Sequence, residues 1–357
     1  MLEVALLGCG RIAKRHAELF GRQQIRGARL AAVCDLVPER AEAFARQYGV
    51  PAFTDLHRMM AEVPALGLVA ILTPSGLHAR HALELARYRK HLVVEKPMAL
   101  TLADADAMLA AAAREGFRLF VVKQNRCNVP VQKAREALEE GRFGRLVLGT
   151  VRVRWCRRQD YYDQAPWRGT WALDGGVLSN QASHHVDLLQ WMMGDIDSVH
   201  AQGATRLVRI EAEDTAVATL RFRSGALGII EATTATRPRD LEGSLSLLGE
   251  AGTVEIGGFA VNEMKTWEFE PGRLEDASIR ERFSVNPPNV YGFGHQAYLQ
   301  NVVDSLLAGK PALVDGREGR RSLETLVALY QSMETGQPVA LATPPHSRRL
   351  GQGPAAG

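Results

Sequence analysis

The stretch Val4-Ala5-Leu6-Leu7-Gly8-Cys9-Gly10-Arg11-Ile12-Ala13 decides the fold. A short apolar run ends at Gly8, and helix-compatible residues begin at Arg11. That order reads as strand, tight turn, helix. From Gly8 the letters fit G-x-G-x-x-A, the dinucleotide-binding fingerprint. Gly8 permits the turn. Gly10 has no Cβ, so backbone can approach a pyrophosphate, which would rest on Gly8, Gly10, Arg11 and Ile12 at the helix N-terminus. Ala13 lets the helix pack closely on the strand. A second apolar run, Leu30 to Cys34, ends at Asp35. An acid there accepts from both hydroxyls of an adenosine ribose and repels a 2′-phosphate, which selects NAD over NADP.

Outward from this stretch, the first third alternates strand and helix patterns. Strands are expected at 52–53, 68–73, 91–95 and 118–123, with helices at 38–48, 76–88 and 101–114. Repeated βα units imply a doubly wound parallel sheet, with ligands at the carboxyl ends of its strands. Asp35, Thr73-Pro74, Glu95-Lys96-Pro97 and Gln124 fall at those ends. After Lys123 the pattern changes. A helix at 129–140 is followed by a run of β segments between 146 and 269, which indicates an antiparallel sheet. Ser179 to Met193 reads as an amphipathic helix, and two helices, 294–307 and 317–334, close the fold. The expected organisation is a nucleotide-binding domain at 1–124, a second domain at 125–343 and a flexible tail at 344–357. The last helices could pack back on the first domain.

The 357 residues exceed one ordinary core, in keeping with two domains. A net charge of +3 without a basic, aromatic-interleaved run excludes a nucleic-acid binder. Cys9, Cys34, Cys127 and Cys156 have no metal spacing. They are expected as reduced thiols of a cytoplasmic protein, with no metal bound. Leu2 to Leu7 leads straight into the fingerprint, so no secretory leader is expected, and no apolar run is long enough to span a bilayer.

Several groups could carry chemistry. Lys96, at a strand end and held extended by Pro97, could hold a substrate oxygen or accept its proton. Its bond to Pro97 is a candidate for cis. Gly175-Gly176 leads into Asn180, Gln181 and His184. Asn180 and His184 are four apart and share a face if the segment is helical. Asp187 could orient the His184 ring. Arg157, Arg158, Tyr161, Tyr162, Trp167 and Arg168 suit an anion beside a sugar or base. Singly, each fits an ordinary polar loop as well. Tyr291 to His295 has the same ambiguity. Thr73, Pro74 and His78 fit a turn beside a nicotinamide, or merely a helix cap.

Together these motifs resemble the Gfo/Idh/MocA oxidoreductase family. The matching residues are Gly8 to Ala13, Thr73-Pro74, Glu95-Lys96-Pro97, Trp167-Arg168, and Gly175-Gly176 leading to His184 and Asp187. The resemblance implies an α/β protein: an N-terminal Rossmann domain, then an α/β domain with a large, open, mostly antiparallel sheet. It implies NAD, with Thr73, Pro74, His78, Glu95, Lys96, Gln124, Trp167 and Arg168 near the cofactor. It also implies a homo-oligomer, dimer or tetramer. The family lysine and histidine correspond to Lys96 and His184. Where many members have Asp four residues before that histidine, this chain has Asn180, which removes a negative charge. The blocks around Gln124-Asn125, Gln159 to Asp163, Asn180 to His184 and Val290 to His295 resemble the WlbA/WbpB-type subgroup. That subgroup oxidises UDP-N-acetyl-glucosaminuronic acid at C3 for bacterial surface polysaccharides. On that reading Arg158, Tyr161, Asn180, Gln181, His184, Tyr291 and His295 face the nucleotide sugar with Lys96. His184 is the preferred base on its near-neutral pKa, with the reverse assignment to Lys96 open. Oxidation of another sugar or an inositol is the alternative, and a non-enzymatic NAD-binding regulator a third.

Overall fold

The computed structural model describes residues 1–285, 287 and 292–353. The chain divides into two compact units: Met1–Val122 with His295–Arg321, and Lys123–Gly294 with Ser322–Gly357.

The first unit is built on β1 (Leu2–Leu7), β2 (Ala28–Cys34), β3 (Ala52–Phe53), β4 (Leu66–Ile71), β5 (His91–Val94) and β6 (Leu119–Val121). They form one sheet in the order β3-β2-β1-β4-β5-β6, every pairing parallel. This is the doubly wound dinucleotide-binding order. Val4 to Leu6, Leu68 to Ile71 and Leu92 to Val94 have no exposed surface. Continuous apolar runs are what strands covered on both faces require. The crossovers include α1 (Ala13–Gly21), α2 (Pro38–Tyr48), α3 (Leu56–Glu62), α4 (His78–Ala86) and α5 (Leu102–Glu115). Asp55 and Thr101 cap α3 and α5 by accepting from backbone N–H groups three residues on. No strong apolar period marks the seven-residue α3, and the sequence reading passed over it.

The second unit begins with α6 (Val129–Glu139), β7 (Leu146–Arg154), a short α7 (Gln159–Asp163) and α8 (Ser183–Met193). Then come β8 (Ile196–Ala204), β9 (Thr215–Phe222), β10 (Leu227–Thr233), β11 (Glu242–Gly249), β12 (Gly252–Gly257), β13 (Glu263–Phe269) and α9 (Asp276–Arg282). The chain closes through α10 (Gly294–Ala308), α11 (Gly316–Thr335) and β14 (Val339–Ala340). From His295, α10 belongs to the first unit, where Tyr298 Oη donates to the Val121 carbonyl at 2.7 Å and Arg118 reaches Ser305. The eight-stranded sheet of the second unit runs β13-β12-β11-β7-β10-β9-β8-β14. It is antiparallel except for the central β7–β10 pair. β9 alternates buried and exposed residues along its length, and Val147, Val217, Leu227 and Ile229 stay open to solvent.

Two expectations are corrected here. The helix read from Ser179 starts at Ser183. It is preceded by a π turn at Val177–Gln181, and its residues through Gln190 are all buried. It is a core helix, not an amphipathic one, and Asn180 and His184 do not share one α-helical face. The tail expected to be flexible from Pro344 is tied to the second unit as far as Gly351. Ser347 Oγ and the Arg348 amide donate to the Glu334 carboxylate, and the Gly351 amide donates to the Trp171 carbonyl at 2.9 Å. Leu350 is 1 % exposed. Leu350→Ala should therefore lower unfolding stability by about 2–3 kcal/mol in urea denaturation. A tail that hangs free would leave the midpoint unmoved.

Candidate active site

The glycine turn follows β1. Gly8 has φ +98°, and a Cβ there would lie 2.9 Å from backbone atoms of Leu72, so both conformation and space demand glycine. A Cβ on Gly10 would meet nothing within 4 Å, which leaves room for a ligand. The first turn of α1 has no side-chain cap and no acid, so its N–H groups are open to an anion. Asp35 stands at the end of β2. Its Oδ2 accepts from the Cys9 amide at 2.7 Å and its Oδ1 from the Val37 amide at 2.9 Å. These two bonds aim the carboxylate beside the glycine turn and leave lone pairs for a pair of ribose hydroxyls. The residues present thus fit a dinucleotide whose adenosine lacks a 2′-phosphate.

The ends of β4 and β5 carry the other part of this unit's site. Thr73 Oγ1 is 3.0 Å from His81 Nδ1. His78 lies beneath, 1 % exposed, with Nδ1 2.8 Å from the Pro97 carbonyl oxygen and Nε2 2.9 Å from that of Thr73. Lys96 is half-buried, and its bond to Pro97 is cis. Glu95 is buried with Oε1 2.9 Å from His16 Nε2 and 3.9 Å from His295 Nε2, while Oε2 accepts from the Lys96 amide. Burial acts to raise the Glu95 carboxyl, but the His16 hydrogen bond and the charges around it win and bring it down to about 2. Two histidines and a carboxylate are metal-ligand types, and their nearest atoms lie within 4.8 Å of one another. Both Nε2 atoms converge on one oxygen of Glu95, and His16 Nδ1 has no partner to orient the ring as a ligand's would be. The cluster ties the carboxylate by one hydrogen bond, from His16, with His295 at ion-pair distance.

In the second unit the buried start of α8 meets Gln124 from a 3-10 turn. Gln124 Nε2 is 3.0 Å from His184 Nε2, and His184 is 8 % exposed. Asp187, read as the partner of His184, takes both Nε and Nη2 of Arg126 at 2.8 Å, with Lys123 Nζ at 3.8 Å. Asn180 donates its amide to the buried Asp174. Gln181 donates to Tyr161 Oη at 2.9 Å and to Asn180 Oδ1 at 2.7 Å. Arg168 stacks over Tyr161 at 4.3 Å and over Trp167 at 4.9 Å. Arg157 pairs with Asp240, and Arg158 is exposed.

Three of the expected ligand contacts have protein partners. His295 was expected on the substrate and His78 and Glu95 on the cofactor. All three are buried, and their polar atoms turn to protein: His295 to Glu95, His78 to two carbonyls, Glu95 to His16 and the Lys96 amide. Tyr291 lies outside the described residues. Asn180 does not leave its surroundings uncharged, because Asp174 stands against it. Asp174, His16 and Arg126 were missed. The available signal was only a polar residue within an apolar pattern.

Glu213 was missed as well. Its Oε1 accepts from the Leu178 amide at 3.0 Å and from Tyr330 Oη at 2.9 Å, and Tyr330 accepts in turn from the Gly176 amide. A Cβ on Gly176 would lie 2.2 Å from the Glu213 carbonyl oxygen, so the turn before the π segment presses directly on this acid. Burial pushes the Glu213 carboxyl up to about 7. The folded protein then holds a proton that the unfolded chain releases near its ordinary value, so stability falls as pH rises from about 4.5 to 7. Glu213→Gln keeps the acceptor oxygen and removes this loss. Its stability relative to the parent should improve between pH 5 and pH 8 by up to about 3 kcal/mol. A difference that does not change with pH would refute the assignment.

Comparison with known proteins agrees with this geometry. The NAD-binding Rossmann-fold domain of the Gfo/Idh/MocA oxidoreductases matches residues 2–123, and their C-terminal alpha/beta domain matches 135–341. The WlbA dehydrogenase from Bordetella pertussis, solved in complex with NADH and UDP-GlcNAcA, is 44% identical, with a TM-score of 0.89 over 96% of this chain and 98% of that one. The WlbA dehydrogenase from Chromobacterium violaceum, in complex with the same two molecules, is 42% identical, with a TM-score of 0.89 over 95% of this chain and 96% of that one. Among curated relatives, the myo-inositol 2-dehydrogenase of Thermotoga maritima is 26% identical, covering 95% of this chain and 98% of its own length. With the fingerprint, the strand order and the second sheet in place, the chain belongs to the Gfo/Idh/MocA family of oxidoreductases.

Proposed function

We propose that this protein uses NAD to oxidise the C3 hydroxyl of UDP-N-acetyl-glucosaminuronic acid to the ketone. The observation that carries the reading is the identity of 44% and 42%, across nearly the whole chain, to two WlbA dehydrogenases solved with NADH and that sugar nucleotide. Asp35 and the uncapped start of α1 support NAD as the hydride acceptor. On this reading the first unit holds NAD through Gly8, Gly10, Arg11, Ile12, Asp35, Thr73 and Pro74. Gln124, Trp167 and Arg168 complete the cofactor site. Arg158, Tyr161, Asn180 and Gln181 bind the nucleotide sugar, whose diphosphate and carboxylate suit an arginine.

Two residues handle the hydroxyl proton. His184 Nε2 lies 3.0 Å from the Gln124 amide nitrogen, which places its ring beside that side chain. We take Lys96 as the proton acceptor, the reverse of the preference drawn from the sequence. Lys96 would take the proton of the C3 hydroxyl, and bound NAD would supply the acceptor for the C3 hydride. His184 holds the oxygen. The balance is one ketone, one NADH and one lysine ammonium, which returns its proton to solvent.

We further propose a cytoplasmic homo-oligomer, dimer or tetramer, acting in surface-polysaccharide synthesis. The exposed apolar residues Val147, Val217, Leu227 and Ile229 on one sheet support a subunit interface. The buried thiols of Cys9 and Cys34, pushed up to about 12 chiefly by burial, suit a reducing compartment. The test is purified protein with NAD and the sugar nucleotide, following NADH absorbance and product mass. A ketone lighter by two hydrogens is expected, and Lys96→Met should lower kcat by about 100-fold or more. Turnover of free inositols or sugars with none of the nucleotide sugar would replace this reading with the inositol or simple-sugar one.

A further inference from the structure

Asp174 is buried, and its carboxylate takes two donors. Oδ2 accepts from the Gly169 amide at 2.8 Å, and Oδ1 from the side-chain amide of Asn180. A carboxylate has no proton to give, so the Asn180 atom that faces it must be the NH2 group. Asn180 Oδ1 is then the atom 2.7 Å from Gln181 Nε2. A carbonyl oxygen only accepts, so the Gln181 atom facing it must also be NH2. The second hydrogen of that group goes to Tyr161 Oη at 2.9 Å. Each partner fixes the next, so oxygen and nitrogen of both carboxamides are told apart by the one end that cannot turn. What is left over at the other end is fixed as well. Gln181 Oε1 accepts from no described group, and Gln181 keeps 8 % of its surface open. Tyr161 Oη has accepted, so its own O–H is left to donate elsewhere, from a half-buried ring with Arg168 over it at 4.3 Å.

We infer that Asp174 is a positioning residue that sets the donor and acceptor sense of the Asn180–Gln181–Tyr161 chain, and that Gln181 thereby offers an oxygen to a hydroxyl or amide N–H of the bound molecule. The inference rests on the reading of this wall as a sugar-nucleotide site and names the part of that ligand it takes. The wall presents one acceptor, Gln181 Oε1, beside one donor, the Tyr161 O–H. A sugar hydroxyl meets both, because it donates and accepts. An acetamido N–H meets the acceptor. A carboxylate or phosphate oxygen against Gln181 Oε1 would set two acceptors together, and a buried mismatch costs more than a good bond contributes. The anionic ends of the ligand therefore lie away from Gln181.

Asp174→Asn inverts the chain without breaking it. The new amide keeps its oxygen on the Gly169 N–H and turns its NH2 to Asn180. Asn180 rotates to accept, and Gln181 and Tyr161 follow, so that Gln181 shows NH2 to the ligand. Gln181→Glu has the opposite need. A carboxylate there has no hydrogen for Asn180 Oδ1 or Tyr161 Oη, and it fits only the inverted chain.

The first test is NMR of the full-length protein labelled with 15N-glutamine, with the Gln181 side-chain signal assigned by its loss in Gln181→Glu. Both NH2 hydrogens are donated to protein and should exchange slowly with water. In Asp174→Asn they should exchange at least about tenfold faster. Fast exchange in the unchanged protein, or no change in the variant, would overturn the inference, and the first of these needs no variant to fold. The second test is a stability cycle without ligand. Gln181→Glu alone should lower the melting temperature by about 5 °C, and Asp174→Asn should restore most of that loss. Equal losses in the two backgrounds, or no loss with Asp174 in place, would sink the proposed sense. Finally, with the sugar nucleotide, Asp174→Asn should raise KM about tenfold and leave kcat within about threefold. A merely structural Asp174 would not split KM from kcat in this way, and an unchanged KM would remove the ligand from Gln181. The first two readouts use no substrate. An unchanged protein that fails to oxidise the sugar nucleotide therefore defeats the substrate reading, while the exchange and stability results decide the role of Asp174.

Discussion

The carboxylate of Glu95 is the charge on which the corner of the first unit around Lys96 depends. It is buried at the end of β5, where an ion without partners would be several kcal/mol too costly. His16 brings a ring from α1 and His295 one from α10, and the Lys96 amide takes the second oxygen. Three distant segments of sequence therefore converge on one strand end. The next residue in the chain is Lys96. Its backbone is held from one side by the acid and, through Pro97, from the other by His78. The base of the Lys96 side chain is thus anchored by buried charge.

The second unit solves the same problem with different parts. Arg126 and Asp187 form a buried two-point pair under α8, with Lys123 alongside. Asp174 holds the Asn180 amide, and Glu213 with Tyr330 braces the glycine turn that precedes it. The π turn at Val177–Gln181 is the local cost of this arrangement. One extra residue in the helical spiral turns Asn180 away from the face that the four-residue spacing to His184 would have given it, and single π turns cluster at functional sites. The polar groups beneath the turn satisfy its backbone N–H groups, which is what keeps an irregular segment stable inside a core.

Much of this was legible in the amino-acid order because it follows from local rules. A glycine turn after an apolar strand, an acid at the end of the next strand, and apolar runs alternating with helical patterns specify a parallel dinucleotide-binding sheet from short-range chemistry. The alternation after residue 146 marks strands with one covered face for the same reason. Lys96 and His184 stood out because each lies beside a breaker, Pro97 in one case and the Gly175-Gly176 pair in the other.

What stayed hidden depends on contacts between residues far apart in the chain. His295 lies two hundred positions from Glu95, and no pattern around either reports that they meet. Asp174, Glu213 and Tyr330 are ordinary polar residues until folding buries them together. Leu350 belongs to a segment whose Pro, Gly and Arg content suggests disorder, yet it is covered because the segment happens to find a packing surface. Composition and periodicity determined by themselves that this chain forms a Rossmann sheet with an NAD-type acid and a second, mostly antiparallel domain. The tertiary structure alone decided which polar side chains are buried ties and which stay open to solvent. That choice is made by desolvation, and desolvation is a property of the folded surroundings of a residue, not of its neighbours in sequence.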